Sequence, residues 1–180
     1  RSAAWVALAA FATALALLVT HRVADPDLWQ HLRVGRVIWE THAIPREHLW
    51  TWPRFGEPEV LPSWLFRSLV WPCWSAAGVW GLQAWRWLTT LGAFGLLALA
   101  ARRLGARGLL PWLALVLCAL VYRQRSQVRP ETLVAVLLAA QLWLLEGARG
   151  GGGRAAFRAR LRALLGVPLI ACVWANAHVS

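Results

Sequence analysis

Two carboxylates and an imidazole fall within seven residues, in Asp25-Pro26-Asp27-Leu28-Trp29-Gln30-His31. A carboxylate so placed can take a proton from a hydroxyl, and two can share a divalent cation. The same residues also suit a helix start, with Asp25 as N-cap, Pro26 at the first helical position and Asp27 near the positive end of the dipole. Capping explains Asp25 as well as chemistry does, and the roles are compatible. His31 follows Asp27 by one helical turn, a spacing that predicts a surface pair with Asp27 ahead of a ligand role. A second group is Arg123, Arg125 and Arg129, whose guanidinium forks match phosphate oxygens two at a time. Asn176 and His178, in Trp174-Ala175-Asn176-Ala177-His178, form a third, suited to satisfying backbone groups, holding water or touching a substrate.

The elements that position these groups are apolar. Of 180 residues 59% are hydrophobic, well above the 45–50% expected of a soluble domain, so the chain reads as an all-α membrane protein. Its 14 Trp suit bilayer interfaces, and one or two of them, Trp29 or Trp52, could stack on the ring of a ligand. The net charge of +11 beside apolar spans points to topology and anionic lipid, not nucleic acid. Cys73, Cys118 and Cys172 are too scattered for a metal spacing or a disulfide framework.

Five spans are expected: 3–20, 81–101, 108–122, 131–145 and 164–178, in one transmembrane domain over 1–180 that reads as an N-terminal piece. Between the first two lies an external loop, 21–80, with interfacial or re-entrant helices. Leu28, Leu32, Gly35 and Trp39 recur at helical spacing there, with Arg33, Arg36 and Glu40 on another side. Pro45, Pro53, Pro58 and Pro62 then punctuate an irregular stretch, and 64–77 forms a short helix before the second span, with Arg86 near an end where it can snorkel. A glycine linker at Gly150 to Gly153 sits in a basic cytoplasmic segment, 147–163, that rests on anionic headgroups. Spans of about 15 residues, or ~22 Å at ~1.5 Å per residue, sink the Arg123–Arg129 loop below the surface, where arginines need a watery pocket or anions.

Alternating the spans puts Asp25, Asp27 and His31 on one face with Arg123, Arg125, Arg129, Asn176 and His178. Counting arginines does not orient the chain, because nine fall on each side. Acids interleave the first set and are nearly missing from the second, which favours the second as cytoplasmic. The gathered charges suit a lipid-linked phosphate at the membrane edge; equally, acids and arginines there could pair simply to hold the loops together.

Asp25-Pro26-Asp27-Leu28-Trp29-Gln30-His31-Leu32, then Gly35, Glu40 and Ile44-Pro45, resembles the first external loop of a largely uncharacterised bacterial group related to the GT-C glycosyltransferases. Val128-Arg129-Pro130-Glu131 and Trp174-Ala175-Asn176-Ala177-His178 are similar to two further motifs of that group, in the same order. Gln30 departs from a common aromatic position, and Ala177 and Val179-Ser180 from the residues around the histidine. The resemblance implies transfer of a sugar from a polyprenyl-phosphate carrier at the external face of the bacterial cytoplasmic membrane. It puts the acidic role on Asp25 or Asp27, carrier phosphate on Arg123, Arg125 or Arg129, and a divalent metal, if one takes part, on Asp25 and Asp27; no other cofactor is expected. The rival classes are a transporter or flippase subunit, a membrane scaffold, or a GT-C fold without activity. A transporter would carry ionisable residues near mid-span and repeated halves, neither of which is visible.

Overall fold

The computed structural model describes residues 2–50, 52–149 and 153–178. Every element in this part of the chain is helical apart from one isolated bridge between Glu47 and Pro58. Helices α1 (Ser2–Leu18), α2 (Leu28–Thr41), α3 (Trp64–Arg103), α4 (Leu110–Tyr122), α5 (Pro130–Arg149) and α6 (Gly153–Ala177) follow in order, with a 3-10 turn at Arg123–Arg125. Two of them, α3 and α5, are long and apolar enough to cross a membrane by length and composition, against five spans expected. Helix α4 has 13 residues and α1 has 17, while α6 continues without interruption from its basic first half into its apolar second half. A linker over 147–163 separate from a span is thus not what forms. Arg154, Arg158 and Arg160 occupy exposed positions of one helix, where a basic face costs nothing. Gly150, Gly151 and Gly152 of the expected linker, and Val179-Ser180, lie outside the described residues.

Helix α3 is two helices joined at Gly78, which has φ 54° and ψ −130°. That backbone is strained for any residue with a Cβ, so glycine is what permits the corner. The break falls between the 64–77 helix and the 81–101 span drawn from the sequence. Just past the corner, a Cβ at Gly81 would overlap the Cys73 carbonyl. The turn is therefore tight enough to lay the two arms against each other.

The first arm packs on α2. Leu28, Leu32 and Gly35 are buried as the helical spacing predicts, joined by Val34, and a Cβ on Gly35 would strike the Arg67 carbonyl and the Trp71 side chain. Trp39 stays exposed, yet its indole N–H donates to the Ser68 carbonyl at 2.8 Å, while Arg36 and Glu40 pair on the open face at 2.6 Å. This helix therefore docks on protein along one side.

Two apolar clusters hold the molecule. Leu28, Leu32, Phe66, Val70, Leu82, Trp85 and Val128 join α2, both arms of α3 and the segment leading into α5. Leu15, Phe94 and Ala119 join α1, α3 and α4. Elsewhere large apolar side chains face outward, among them Leu110 at 77% and Val121 at 78% exposed.

Candidate functional site

Helix α2 begins two residues later than the sequence suggests. Asp27, not Asp25, takes the N-cap position, in right-handed helical backbone and with no capping hydrogen bond from its side chain. Asp25 instead turns its carboxylate inward: Oδ1 accepts the Asp27 amide at 3.1 Å, a local Asx turn that ends the extended approach to the helix. Its side chain is fully buried.

The partner that makes this burial tolerable comes from 104 residues away. Arg129 donates from Nε to Oδ2 at 2.5 Å and from Nη2 to Oδ1 at 2.9 Å, a two-point fork on one carboxylate. Arg129 is placed by its neighbours. Val128 is buried in the core, Pro130 opens α5, and Thr132 donates to the Arg129 carbonyl at 2.7 Å while accepting from the Trp85 indole at 3.1 Å. A tryptophan on α3 thereby fixes the arginine that fixes the acid. Burial alone would raise the Asp25 carboxyl, but the Arg129 hydrogen bonds, the Asp27 amide and the charges of Arg129 and His31 together hold it below its ordinary value. Arg129 is held above its own, first by its bond to Asp25.

The other predicted residues divide. Asp27 is exposed, and its carboxylate has no partner among the described residues. His31 does not pair with Asp27. Its ring stands edge-on to Phe66 at 5.3 Å between centroids, and its Nδ1 is buried without a hydrogen-bond partner. Burial first, and then the Arg67 charge, push His31 down to about 4, so it is neutral at neutral pH. His178 Nε2 comes to 3.8 Å from Glu131 Oε1, which brings the end of α6 to the start of α5. Asn176 is engaged at both ends of its amide: Oδ1 accepts the Trp64 indole N–H at 2.9 Å and Nδ2 donates to the Cys172 carbonyl at 2.8 Å. It ties α6 to α3.

Arg123 and Arg125 are exposed and face different hollows. Arg125 and Arg129 line one of about 230 Å³ with Gln124, Gln127 and Glu131. Arg123 lines another, of about 280 Å³, with His21, Arg22, Ala24, Gln124 and Gln127. A third, of about 260 Å³, has Asp25 in its wall beside Arg22, Trp29 and Trp74, the two indoles meeting edge to face at 5.4 Å. Trp29 thus borders the site, while Trp52 stands out from the loop at 87% exposure. A larger hollow, about 400 Å³ between Arg102, Arg107 and Trp112, lies at the other end of α3 and shares no residue with these.

One residue central to this end was misplaced by sequence reasoning. Arg86 does not snorkel; it is fully buried. It donates to the Ser126 carbonyl at 2.8 Å and the His21 carbonyl at 2.6 Å, reaches Gln83 Oε1 at 3.2 Å, and contacts the His21 ring. Two chain segments separated by more than a hundred residues close around one cation. The signal for it was an arginine inside an apolar run, which is expensive unless it has internal partners.

A divalent cation does not fit the expected pair. Both Asp25 oxygens already accept from Arg129, and among the described residues no three His, Cys, Asp or Glu side chains converge. Comparison with family models, with curated proteins and with solved structures finds no match to this chain.

Proposed function

We propose that the chain serves a GT-C-like membrane glycosyltransferase, which moves a sugar from a polyprenyl-phosphate carrier to an acceptor hydroxyl at the external face of a bacterial cytoplasmic membrane. The observation that carries this reading is the pairing of Asp25 with Arg129 and the approach of His178 to Glu131, which bring residues of three motifs far apart in sequence to one end of the bundle. The reading takes α1, the second arm of α3, α4, α5 and α6 as spans, with their outward apolar side chains against lipid.

In this scheme Asp25 and Asp27 have different work. Asp25 is ionised, buried and saturated by Arg129, so it positions the loop and keeps the guanidinium in place. Asp27 is the free carboxylate and acts as the general base. It takes the acceptor's proton as that oxygen attacks the anomeric carbon and the carbon–oxygen bond to the carrier phosphate breaks. The electron pair leaves with the polyprenyl phosphate, whose growing negative charge the exposed arginines stabilise. The anomeric configuration inverts. His31, neutral and set against Phe66, adds no charge that would compete for the phosphate.

A second reading has one observation of its own. Asp25 and Arg129 satisfy each other, which is what a scaffold or transporter subunit needs in order to lock its loops. The deciding experiment supplies the full-length protein in lipid with radiolabelled polyprenyl-phosphate sugars and follows transfer and release. Sugar consumption by the parent, lost in Asp27→Asn at unchanged folding, supports the transferase. A folded parent that neither binds nor consumes any carrier sinks it and leaves transport, scaffolding or an inactive fold.

A further inference from the structure

The hollow between 21–24 and 123–127 differs from its neighbour in one chemical respect. Its lining, His21, Arg22, Ala24, Arg123, Gln124 and Gln127, contains two arginines and no carboxylate. The adjoining hollow also has two arginines, but Glu131 is in its wall and Arg129 is already committed to Asp25. Neither Arg22 nor Arg123 has an ion-pair partner among the described residues. An anion entering the first hollow therefore meets two unpaired arginines, whereas in the second only Arg125 is unpaired and the Glu131 carboxylate stands in the wall.

The two walls are also held at a set separation. Arg86 binds the carbonyls of His21 and Ser126 from within, and the Ala24 amide donates to Gln127 Oε1 at 3.4 Å across the same seam. The residues bearing Arg22 and Arg123 adjoin these anchors, and the buried Arg86 charge adds positive potential behind them. His21 and Arg22 line the third hollow as well, so the basic hollow adjoins a cleft walled by Leu28, Trp29, Trp74, Val79 and Leu82, whose one carboxylate, Asp25, is taken up by Arg129. A basic end joined to an apolar and aromatic trough matches an amphiphile with a phosphate head.

We propose that Arg22 and Arg123 form the phosphate-binding site of this protein, taking the phosphate of a polyprenyl phosphate whose first isoprene units lie along Trp29 and Trp74. The choice of carrier rests on the transferase reading; the phosphate site itself does not. Arg22 thereby joins the arginines of the 123–129 loop, and Arg125 and Arg129 are relieved of the principal contact. The arrangement is recognition only, and no bond is made or broken at it.

The test is equilibrium binding of polyprenyl monophosphate, without sugar, to the full protein in nanodiscs of zwitterionic lipid, read by native mass spectrometry. Arg22→Gln and Arg123→Gln, both at exposed positions, are compared with Arg125→Gln and with Arg36→Gln as a charge control. Arg22→Gln and Arg123→Gln are each expected to weaken binding about tenfold, the loss of one charged fork, with Arg125→Gln and Arg36→Gln within about twofold of the parent. Inorganic phosphate and phosphatidylglycerol serve as competitors. Displacement by millimolar inorganic phosphate alone identifies a free-phosphate site and overturns the lipid assignment, as does equal displacement by phosphatidylglycerol. Parent-like binding in Arg22→Gln, or an equal loss in Arg125→Gln, overturns the site. Binding that depends on Arg22 and Arg123 in a protein that transfers no sugar keeps the site and discards the transferase.

Discussion

Asp25 and Asp27 are two residues apart and chemically opposite. One is buried and forked by an arginine; the other is open to solvent. Asp25→Asn is expected to cost about 2 kcal/mol, because it leaves the Arg129 fork facing a neutral amide. Asp27→Asn is expected to change stability by less than about 0.5 kcal/mol and, under the transferase reading, to reduce turnover by about 10²-fold or more. Chemical denaturation and transfer rate, measured on the same preparations, separate the two roles. His31 gives a pH signature. The unfolded chain binds a proton there near the ordinary value of 6.5, and the folded chain only near 4. Between those values the unfolded state holds more protons, so stability falls as pH drops through this window. Below it Asp25 acts in the same direction, since the stability its ionised form provides is lost as pH falls through its lowered value. The melting temperature in detergent should therefore decline from pH 6.5 to 4, and the slope should flatten in His31→Gln. The sequence made these residues visible as a group but not their division of labour. Composition cannot reveal that an arginine 104 positions away will claim one acid and spare the other.

At the level of the elements, glycines decide which helices approach and where one turns. Gly35 and Gly81 each have a backbone carbonyl where a Cβ would go, so Gly35→Ala and Gly81→Ala should each cost about 2 kcal/mol or more in equilibrium unfolding. Gly78 is different in kind. Nothing lies within 4 Å of a Cβ placed on it, so Gly78→Ala should cost about 1–2 kcal/mol through backbone strain alone, and a D-alanine introduced there by semisynthesis should recover most of it. The α2 pattern and the corner of α3 were legible because periodicity and a glycine in a long apolar run are local signals. The continuous α6 was not. Its basic first half and apolar second half look like two elements to a hydropathy reading, and Gly166 and Pro168 near their boundary are poor helix formers, yet the helix runs through both.

Across the whole molecule, the gathering of three distant motifs at one end follows from the second arm of α3 and α5 running side by side in the same direction, with α6 returning antiparallel to α5, and from the ties of Trp64 to Asn176 and Arg129 to Asp25. Alternation of apolar segments was enough to anticipate it, whereas nine arginines on each side left orientation open. The exposed thiols of Cys118 and Cys172 offer a check on how much of the bundle is immersed. With α4 and α6 as spans, a membrane-impermeant maleimide should label neither thiol in sealed vesicles and both after detergent; labelling of either in intact vesicles removes that helix from the membrane.

Arg86 bears on how such a protein is made. A lone arginine within the second arm of α3 makes that segment a poor substrate for insertion, with a penalty of up to about 3 kcal/mol at a helix centre. Its compensating carbonyls belong to residues on either side of it in the chain, His21 earlier and Ser126 later. During synthesis one of these partners is already present when the arm emerges and the other is not. With this arm as a span, it is expected to commit to the bilayer only after α4 and the turn beyond it have left the ribosome. Nascent chains stalled before Ser126 should hold residues 79–103 incompletely inserted, and Arg86→Leu should abolish that delay.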